Sequence, residues 1–307
     1  MKVSIIGAGR TRNGIGKYIA KYFQKHRASV VSVLGTSEIT AQSAANSLRP
    51  YGIDATAYTN FDRMIKQETL DAVVIASPFR THYEYLMKSI ESGLNIFCEK
   101  PFFWQEKVDL TEIMDNLFKI AGHKNLTIAM NSQWPFSLPF YEKLCGSVDR
   151  QNVDSFFMRL SPVFTGKEMI LESVPHALSI LYFIFGSGKI SDSNAETGED
   201  KTVLRFRYRS EHYECKVTIR LAREKQQPRS FKFGFNDRIV KRVIDFDNYE
   251  IYFAHGNKEI KITDPLELSV KDFIASVENQ REPLIGKSHI VATTRLLKKI
   301  YNSCEMP

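Results

Sequence analysis

Cysteine is scarce in this sequence. Its 307 residues include four cysteines, at positions 98, 145, 215 and 304, and no two of them form a Cys-x-x-Cys pair. Scattered thiols of this kind predict neither a zinc site nor a disulfide framework. We therefore expect no bound metal and a reducing, cytoplasmic setting.

Long apolar runs are absent as well. A membrane-spanning helix needs about 20 consecutive apolar residues, and the longest candidate, residues 177–185, is much shorter. We interpret that segment as a buried helix. Met1 leads directly into a predicted strand, so the sequence indicates neither a signal segment nor a membrane partner.

A concentrated basic segment is also missing. The net charge is +7 and the isoelectric point is about 9.1, but the basic residues are spread along the chain among acidic ones. There is no basic block with interleaved aromatic residues, of the kind that follows a phosphate backbone. We expect no nucleic-acid partner, and the positive potential favours small anionic ligands such as a dinucleotide.

The first 122 residues alternate short apolar runs with segments of helical periodicity. Strands are predicted at 3–6, 30–34, 72–76 and 95–98, and helices at 16–25, 40–48, 61–66, 81–92 and 108–121. This alternation predicts a Rossmann-type α/β domain with a doubly wound parallel sheet over residues 1–122. Ligands of such sheets bind at the carboxyl ends of the strands.

The pattern changes near residue 126. Polar and apolar residues alternate in six segments, which predicts antiparallel strands at 154–160, 202–208, 213–221, 230–235, 239–246 and 250–254. The polar segment 186–201 is expected to be a loop, and two helices, 268–279 and 289–303, follow the strands. We predict a second, α+β domain over residues 123–307 with a largely antiparallel open sheet, whose uncovered face is a candidate surface for dimerisation.

Two motifs of the first domain are typical of nucleotide chemistry. Residues 2–9 read as an apolar strand that runs into a Gly-Ala-Gly turn. Such a turn lets a pyrophosphate approach the backbone and the amino end of the following helix. The turn is longer than usual, because the next glycines are Gly14 and Gly16. Further along, the Glu-Lys-Pro sequence at 99–101 closes another short apolar strand.

Together with a Glu-x-x-x-His pattern at Glu172 and His176, these motifs resemble the Gfo/Idh/MocA family of NAD(P)-dependent sugar and polyol oxidoreductases. The resemblance covers nearly the whole chain and is strongest over residues 1–101. It implies hydride transfer between a nicotinamide cofactor and a sugar, a sugar nucleotide or a cyclic polyol. It also implies that the second domain serves substrate binding and dimerisation, in a homodimer or homotetramer.

The resemblance implies a set of cofactor contacts. In chain order these are Gly7, Gly9, Gly14, Ser77, Pro78, His82 and Glu99. Gly16 is the alternative to Gly14 as the third glycine. His82 matches the last position of the family's Thr-Pro-Asn-x-x-His turn, and its alternative is a structural role at a helix start. Glu99 either contacts the cofactor or fixes the turn that holds it.

Cofactor choice depends on the residue that follows the second strand. An acidic residue there would hydrogen-bond the ribose of NAD, but the expected position is Gly35. Without that carboxylate a 2′-phosphate is not repelled, and nearby hydroxyl and guanidinium groups can donate to it. These donors are Thr36, Ser37, Arg10 and Arg12. We expect NADP, while Glu38 leaves NAD open.

Lys100 matches the family's catalytic lysine. Hydride transfer requires a partner that moves a proton on the reacting oxygen, and a lysine whose pKa is lowered by burial or by a neighbouring cation does this near neutral pH. His176 matches the catalytic histidine, and Glu172 replaces the family's aspartate, so the resemblance implies that both are catalytic residues that assist Lys100. Residues four apart share one face of a helix, although Pro175 predicts that the helix starts close to it.

Substrate contacts are predicted just after the sixth strand. The family commonly has a Phe-x-x-Arg-Phe-type segment there, and the corresponding residues 130–136 contain no arginine. Asn131, Gln133 and Trp134 are the predicted contacts. The Trp134 indole offers a stacking face for a sugar ring.

The leading hypothesis is therefore an oxidoreductase with Lys100 as acid/base and a small, sugar-like substrate. Reduction of an imine or enone poses similar chemical demands and stays open. A non-catalytic dinucleotide sensor on the same fold is the alternative from another class. Such relatives keep the glycine turn and lose the lysine or the histidine, so the presence of Lys100 and His176 favours the enzyme.

Overall fold

The computed structural model describes residues 1–9 and 14–304. The chain divides into two compact units. The first comprises Met1–Asn131 and Leu266–Ile290, and the second comprises Ser132–Pro265 and the chain from Val291 onward. The first unit extends past the predicted boundary at residue 122 because the strand Ile128–Asn131 pairs with the strand before it.

The first unit contains a parallel sheet. Its strands are β1 (Lys2–Ile6), β2 (Ser29–Leu34), β3 (Thr56–Tyr58), β4 (Ala72–Ile75), β5 (Asn95–Glu99) and β6 (Ile128–Asn131). The spatial order is β3-β2-β1-β4-β5-β6, and each neighbouring pair is parallel. The helices between the strands are α1 (Gly16–Lys25), α2 (Glu38–Leu48), α3 (Phe61–Gln67), α4 (His82–Glu91) and α5 (Leu110–His123). This arrangement confirms the predicted doubly wound α/β fold.

Apolar burial explains why these segments pair as they do. All four residues of β4 are fully buried, as expected of a central parallel strand with both faces covered. The helix α1 places Ile19 and Phe23 in the same core as Val3 of β1. The sequence did not reveal β3, because its three residues are too few to show a periodicity.

The second unit contains a mixed sheet. Its helices and strands are α6 (Leu138–Cys145), β7 (Ser155–Leu160), α7 (Glu168–Phe185), β8 (Gly188–Thr197), β9 (Lys201–Ser210), β10 (Glu214–Ala222), β11 (Lys232–Phe235), β12 (Arg238–Asp245), β13 (Glu250–His255) and β14 (Lys258–Ile262). The helix α8 (Pro265–Glu278) belongs almost entirely to the first unit, and α9 (Lys287–Ser303) begins in the first unit and continues in the second. The sheet order is β14-β13-β12-β11-β7-β10-β9-β8. The pair β7–β10 is parallel, and the other neighbours are antiparallel. The predicted α+β class of this part is confirmed.

The segment 186–201 was expected to be a loop, and this prediction is wrong. Most of it forms β8, which pairs with β9 from Gly188 opposite Ser210 to Thr197 opposite Thr202. β8 lies at the sheet edge, where backbone hydrogen bonds to one neighbour suffice and polar side chains are tolerated. Its composition therefore resembled that of a loop.

The prediction that the helix starts near Pro175 is also wrong. The helix α7 begins at Glu168 and contains Pro175 in its interior, where a proline costs about 3 kcal/mol. Burial of its neighbours offsets that cost, since Leu171, Val174 and Leu178 are at most 2% exposed. By length and composition α7 could cross a membrane, but 72% of its residues are buried within the protein, as in a core helix.

Four cations lie side by side across the second sheet. Lys232 is the register partner of Lys241 on one side and of Arg159 on the other, and Arg159 is the partner of Arg220. Directly paired residues share a face of the sheet, and like charges in such positions destabilise it. Among the described residues, the row has one ion pair, from Arg159 Nη2 to Glu224 Oε1 at 2.9 Å.

We predict that Lys232→Glu stabilises the second unit. The new carboxylate would face Lys241 and Arg159 directly, and each exchange of a like for an opposite pair contributes roughly 0.2–1 kcal/mol. The melting temperature should rise by about 1–4 °C at low ionic strength, and the gain should shrink in high salt. Lys258→Glu on β14, with the same charge change, is the control. An equal rise in that control would contradict the prediction.

Candidate active site

The turn after β1 brings bare backbone to the carboxyl edge of the first sheet. Gly7 has a φ of +88°, and its N–H donates to the Leu34 carbonyl at 3.1 Å. A Cβ atom at this position would lie 2.6 Å from the backbone nitrogen of Ser77, so a larger residue does not fit. The closeness of β1 and β4 at this turn therefore depends on glycine. Dinucleotides bind at this edge in sheets of this type.

Two further glycines allow close contacts. A Cβ at Gly9 would lie 2.9 Å from the Thr40 carbonyl oxygen, and one at Gly16 would lie 2.8 Å from the Ala8 Cα. Gly16 is the first residue of α1, so it makes the helix-to-turn contact that the third glycine of a dinucleotide turn provides. Gly14, the position favoured in the sequence, precedes the helix. Arg10 and Arg12 lie outside the described residues.

The end of β2 is shaped by close packing of α2. A Cβ at Gly35 would lie 2.6 Å from the backbone nitrogen of Ala41, so an aspartate is excluded there by contact with the helix. Thr36 and Ser37, which follow, are exposed. Ser37 caps α2, because its Oγ accepts the Thr40 N–H at 3.3 Å while Thr40 Oγ1 accepts the Ser37 N–H at 2.9 Å.

His82 joins the turns that follow β4 and β5. The side chain is 1% exposed. Its Nε2 lies 2.9 Å from the Ser77 carbonyl oxygen, and its Nδ1 lies 3.0 Å from that of Pro101 and 3.1 Å from that of Phe102. Pro78, between these partners in sequence, is exposed. The imidazole therefore holds two backbone turns together, which is the structural role that the sequence left open.

The turn that carries Lys100 is fixed by its neighbours. Lys100 itself is partly buried, whereas Phe102 and Phe103 are fully buried. The Phe102 ring stacks on Phe118, with centroids 5.7 Å apart and planes at 10°. Burial raises the pKa of the Cys98 thiol well above its usual range, so this thiol stays protonated and donates to the Phe102 carbonyl at 3.4 Å.

Glu99 and Asn131 face each other at the ends of β5 and β6. They are register partners, and they are 8% and 2% exposed. Asn131 Nδ2 donates to Glu99 Oε1. Asn131 Oδ1 is buried and has no hydrogen-bond partner among the described residues, which leaves one acceptor unsatisfied. Asn131, predicted to contact substrate, therefore also fixes the residue before Lys100.

His176 is held within the second unit by the segment that follows β6. Its Nδ1 lies 3.3 Å from Ser132 Oγ, which also lies 3.4 Å from the Pro175 carbonyl oxygen. The Trp134 ring meets the imidazole edge-on, with centroids 6.5 Å apart and planes at 83°. His176 is partly buried on α7, so its ring is oriented by a hydroxyl group on one side and an indole on another.

Glu172 lies one helical turn before His176 in α7, as its spacing predicted. Its Oε2 accepts the backbone N–H groups of Val163 at 2.8 Å and Phe164 at 2.9 Å. A carboxylate with two such donors is well placed to fix a loop. The side chain therefore holds the connection from β7 to α7.

Trp134 and Gln133 have different surroundings from those expected. Trp134 is 4% exposed, and Phe231 stacks on it with centroids 3.6 Å apart and planes at 16°. One indole face is thus already covered by protein. The Gln133 Oε1 atom is buried without a hydrogen-bond partner among the described residues, so it can accept a donor from a ligand.

The structure brings one set of predicted residues together at the carboxyl edge of the first sheet: Gly7, Ser77, His82, Glu99, Lys100 and Asn131. A second set lies within the second unit: Gln133, Trp134, Glu172 and His176. The sequence did not reveal Arg242, whose guanidinium carbon lies 5.8 Å from the Trp134 ring centroid. It is remote in sequence and belongs to no motif. In the described part of the chain, no group of three or more His, Cys, Asp or Glu side chains could hold a metal ion.

Known proteins resemble this chain in sequence mainly over its first unit. Residues 1–131 match the GFO_IDH_MocA family, an oxidoreductase family with an NAD-binding Rossmann fold. An inositol 2-dehydrogenase of Klebsiella pneumoniae is 32% identical over 102 residues, which are 33% of this chain and 28% of that protein. An inositol 2-dehydrogenase of an Arthrobacter species is 26% identical over 201 residues, 61% of this chain and 54% of the relative. The chain thus spans from about a quarter to about half the length of these relatives.

Solved structures resemble the chain over nearly its whole length. A UDP-N-acetylglucosamine 3-dehydrogenase from Acidithiobacillus ferrooxidans has a TM-score of 0.71 at 17% identity, with 99% of this chain and 98% of that chain covered. A myo-inositol 2-dehydrogenase from Lactobacillus plantarum has a TM-score of 0.72 at 15% identity, with 99% and 96% covered. An oxidoreductase from Agrobacterium radiobacter, solved with NAD+, L-tartaric acid and magnesium, has a TM-score of 0.72 at 12% identity, with 99% and 96% covered. Identities this low establish the fold alone. Residues 1–131 therefore match the NAD-binding Rossmann domain of the Gfo/Idh/MocA oxidoreductase family, and the chain as a whole shares the fold of these solved structures.

Proposed function

We propose that the protein is an NAD(P)-dependent oxidoreductase that moves a hydride between a nicotinamide and a sugar, a sugar nucleotide or a cyclic polyol. The observation that carries this proposal is the placement of Lys100. It follows the buried Glu99 at the end of β5, in a turn that His82 joins to Ser77. Ser77 in turn lies against Gly7 of the glycine turn. The Lys100 amine therefore lies in a turn at the same edge of the sheet as the glycine turn.

The residues at this edge fit a dinucleotide. Gly7 and Gly9 leave the backbone without side chains, and α1 begins shortly afterwards with its N–H groups directed towards the turn. Gly7, Gly9, Ser77 and Pro78 would hold the cofactor. Once bound, its nicotinamide supplies the hydride acceptor or donor.

The proton chemistry belongs to this chain's own side chains. Lys100 Nζ gives or takes the proton of the reacting oxygen, and proton transfer by a positioned side chain contributes roughly 10²- to 10⁴-fold to a rate. His176, oriented by Ser132, binds a substrate hydroxyl or passes a proton onward. Glu172 acts as a positioning residue, because its Oε2 is bound to two backbone N–H groups.

The cytoplasm is the proposed location, and a homodimer or homotetramer is the proposed assembly. The substrate class is supported by the activities of the relatives, which include inositol 2-dehydrogenases and the D-glucoside 3-dehydrogenase of Escherichia coli. Imine or enone reduction remains compatible with the same lysine, because those groups also need a proton at the reacting centre.

NADP is the proposed cofactor. The packing of α2 excludes a carboxylate at Gly35, and exposed hydroxyl groups follow at Thr36 and Ser37. Both can donate to a 2′-phosphate near the amino end of α2, where the helix dipole favours an anion. The exposed Glu38, the first residue of α2, is the one carboxylate within this short segment and is the feature that favours NAD.

We predict that NADPH binds more tightly than NADH and that Ser37→Asp removes the preference. Aspartate still caps α2, but its charge repels a 2′-phosphate. The dissociation constant of NADPH should rise at least about tenfold, which is 1.4 kcal/mol, while that of NADH changes little. Titrations followed by nicotinamide fluorescence measure both constants. Ser43→Asp, an exposed position on the same helix, is the control with equal charge. Tighter binding of NADH by the unmodified protein would overturn the NADP assignment.

We predict that Lys100→Met retains NADPH binding and loses turnover. The variant keeps the length of the side chain but cannot exchange a proton, so the rate should fall by about 10²- to 10⁴-fold. Absorbance of the nicotinamide would be followed with inositols, keto-sugars and sugar nucleotides as substrates. Lys107→Met, an exposed lysine in the following segment, is the matched control.

Each result of that experiment has a distinct meaning. Equal turnover by Lys100→Met and the unmodified protein would remove Lys100 from the chemistry. Binding of NADPH without turnover of any substrate would favour the dinucleotide sensor. Failure of the unmodified protein to bind either dinucleotide would refute the proposed function itself.

A further inference from the structure

An arginine from a distant strand lies beside Trp134, in the segment 130–136 that itself contains no arginine. Arg242 lies on β12, and its guanidinium carbon is 5.8 Å from the Trp134 ring centroid and 5.6 Å from that of Phe231. Trp134 in turn meets His176 edge-on at 6.5 Å. The guanidinium therefore belongs to the same side-chain cluster as the candidate catalytic histidine.

The positive charge of this guanidinium is poorly compensated by the described residues around it. Its Nη2 donates to the Arg229 carbonyl at 2.9 Å, whereas its Nε–H is buried without an acceptor in the described parts of the chain. Within those same residues, no carboxylate oxygen lies close enough to Arg242 to form a salt bridge. Burial lowers the pKa of Arg242, and the charges of Asp264 and Tyr249 only partly counter that effect.

A partly buried guanidinium without an anionic partner among the described residues, whose Nε–H is buried and unsatisfied there, is costly, and the aromatic rings recover only part of that cost. A guanidinium over an aromatic face gains a modest attraction, but its desolvation is repaid in full only by an anion that also satisfies its N–H groups. The planar fork of arginine fits a carboxylate or a phosphate with two parallel hydrogen bonds. Gln133 Oε1, next to Trp134 in sequence, is a buried acceptor that can take a hydroxyl group.

We propose that Arg242 binds an anionic group of the substrate, a carboxylate or a phosphate, beside Trp134 and His176. The inference rests on the proposed function for the presence of a sugar-like substrate at this cluster. It narrows the substrate class to a hydroxylated anion, such as a sugar acid or a sugar phosphate. Arg242 acts here as a specificity residue and takes no part in proton transfer.

Trp134 provides a direct readout. The chain has two tryptophans, so in a Trp104→Phe variant the tryptophan emission comes from Trp134 alone. This variant would be titrated with glucuronate, glucose 6-phosphate and neutral glucose, with and without saturating NADP+. We expect a saturable change in emission with at least one anion and none with glucose at the same concentrations. The two anions separate a carboxylate site from a phosphate site.

Substitutions of Arg242, added to the Trp104→Phe variant, test whether Arg242 binds the anion. In the same background, Arg242→Met should raise the dissociation constant of the responding anion at least tenfold, and Arg242→Lys should restore part of the affinity. Arg159→Met is the matched control, because Arg159 is partly buried on the same sheet but paired with Glu224. If Arg242 were merely a packing residue, Arg242→Met should lower the melting temperature. If Arg242 instead binds the charged group of a ligand, the melting temperature of Arg242→Met should be unchanged or higher.

Three results would overturn the inference. The first is no response of Trp134 to either anion, the second is equal affinity in Arg242→Met, and the third is equal affinity of the lysine and methionine variants. Failure of NADP+ to bind would instead count against the proposed oxidoreductase. The anion titrations without NADP+ would still decide the role of Arg242.

Discussion

The buried imidazole of His82 is the contact on which the candidate site of the first unit depends. Its two ring nitrogens lie within hydrogen-bond distance of backbone carbonyl oxygens, from Ser77 on one side and from Pro101 and Phe102 on the other. The two backbone segments follow successive strands, β4 and β5, and the Cys98 thiol of β5 lies 3.6 Å from the ring as well. The contacts of His82 thus fix the turn that carries Lys100 to the segment that lies against Gly7 of the glycine turn.

The local sequence was sufficient to predict a structural feature where the backbone requires one particular type of residue. Gly7 can be read in the sequence because its positive φ and its contact with Ser77 admit no side chain. The same holds for the strand before Glu99, whose apolar residues are buried on both faces. The doubly wound α/β class of the first unit and the α+β class of the second followed from such patterns. The third glycine shows the limit, since spacing alone could not decide between Gly14 and Gly16.

The failures have a common origin in contacts between segments distant along the chain. The strand β8 has the composition of a loop and is held by its ladder with β9. Pro175 reads as a helix start and is tolerated inside α7 because the surrounding side chains are buried. Trp134 reads as an exposed platform, but Phe231 covers one of its faces. No local pattern carries these pairings, so they could not be predicted from spacing or composition.

The glycine at position 35 bears both on the packing of α2 against β2 and on the choice of cofactor. In the sequence it reads as a choice of cofactor, because no carboxylate is left to hydrogen-bond a ribose. In the structure it is first a steric requirement, since a Cβ there would collide with Ala41 at the start of α2. A close approach of α2 to β2 therefore excludes the acid whatever the cofactor. Preference must then be set by the residues that follow, where Ser37 both caps the helix and faces solvent. The proposal of NADP accordingly rests on Thr36 and Ser37 rather than on the glycine itself.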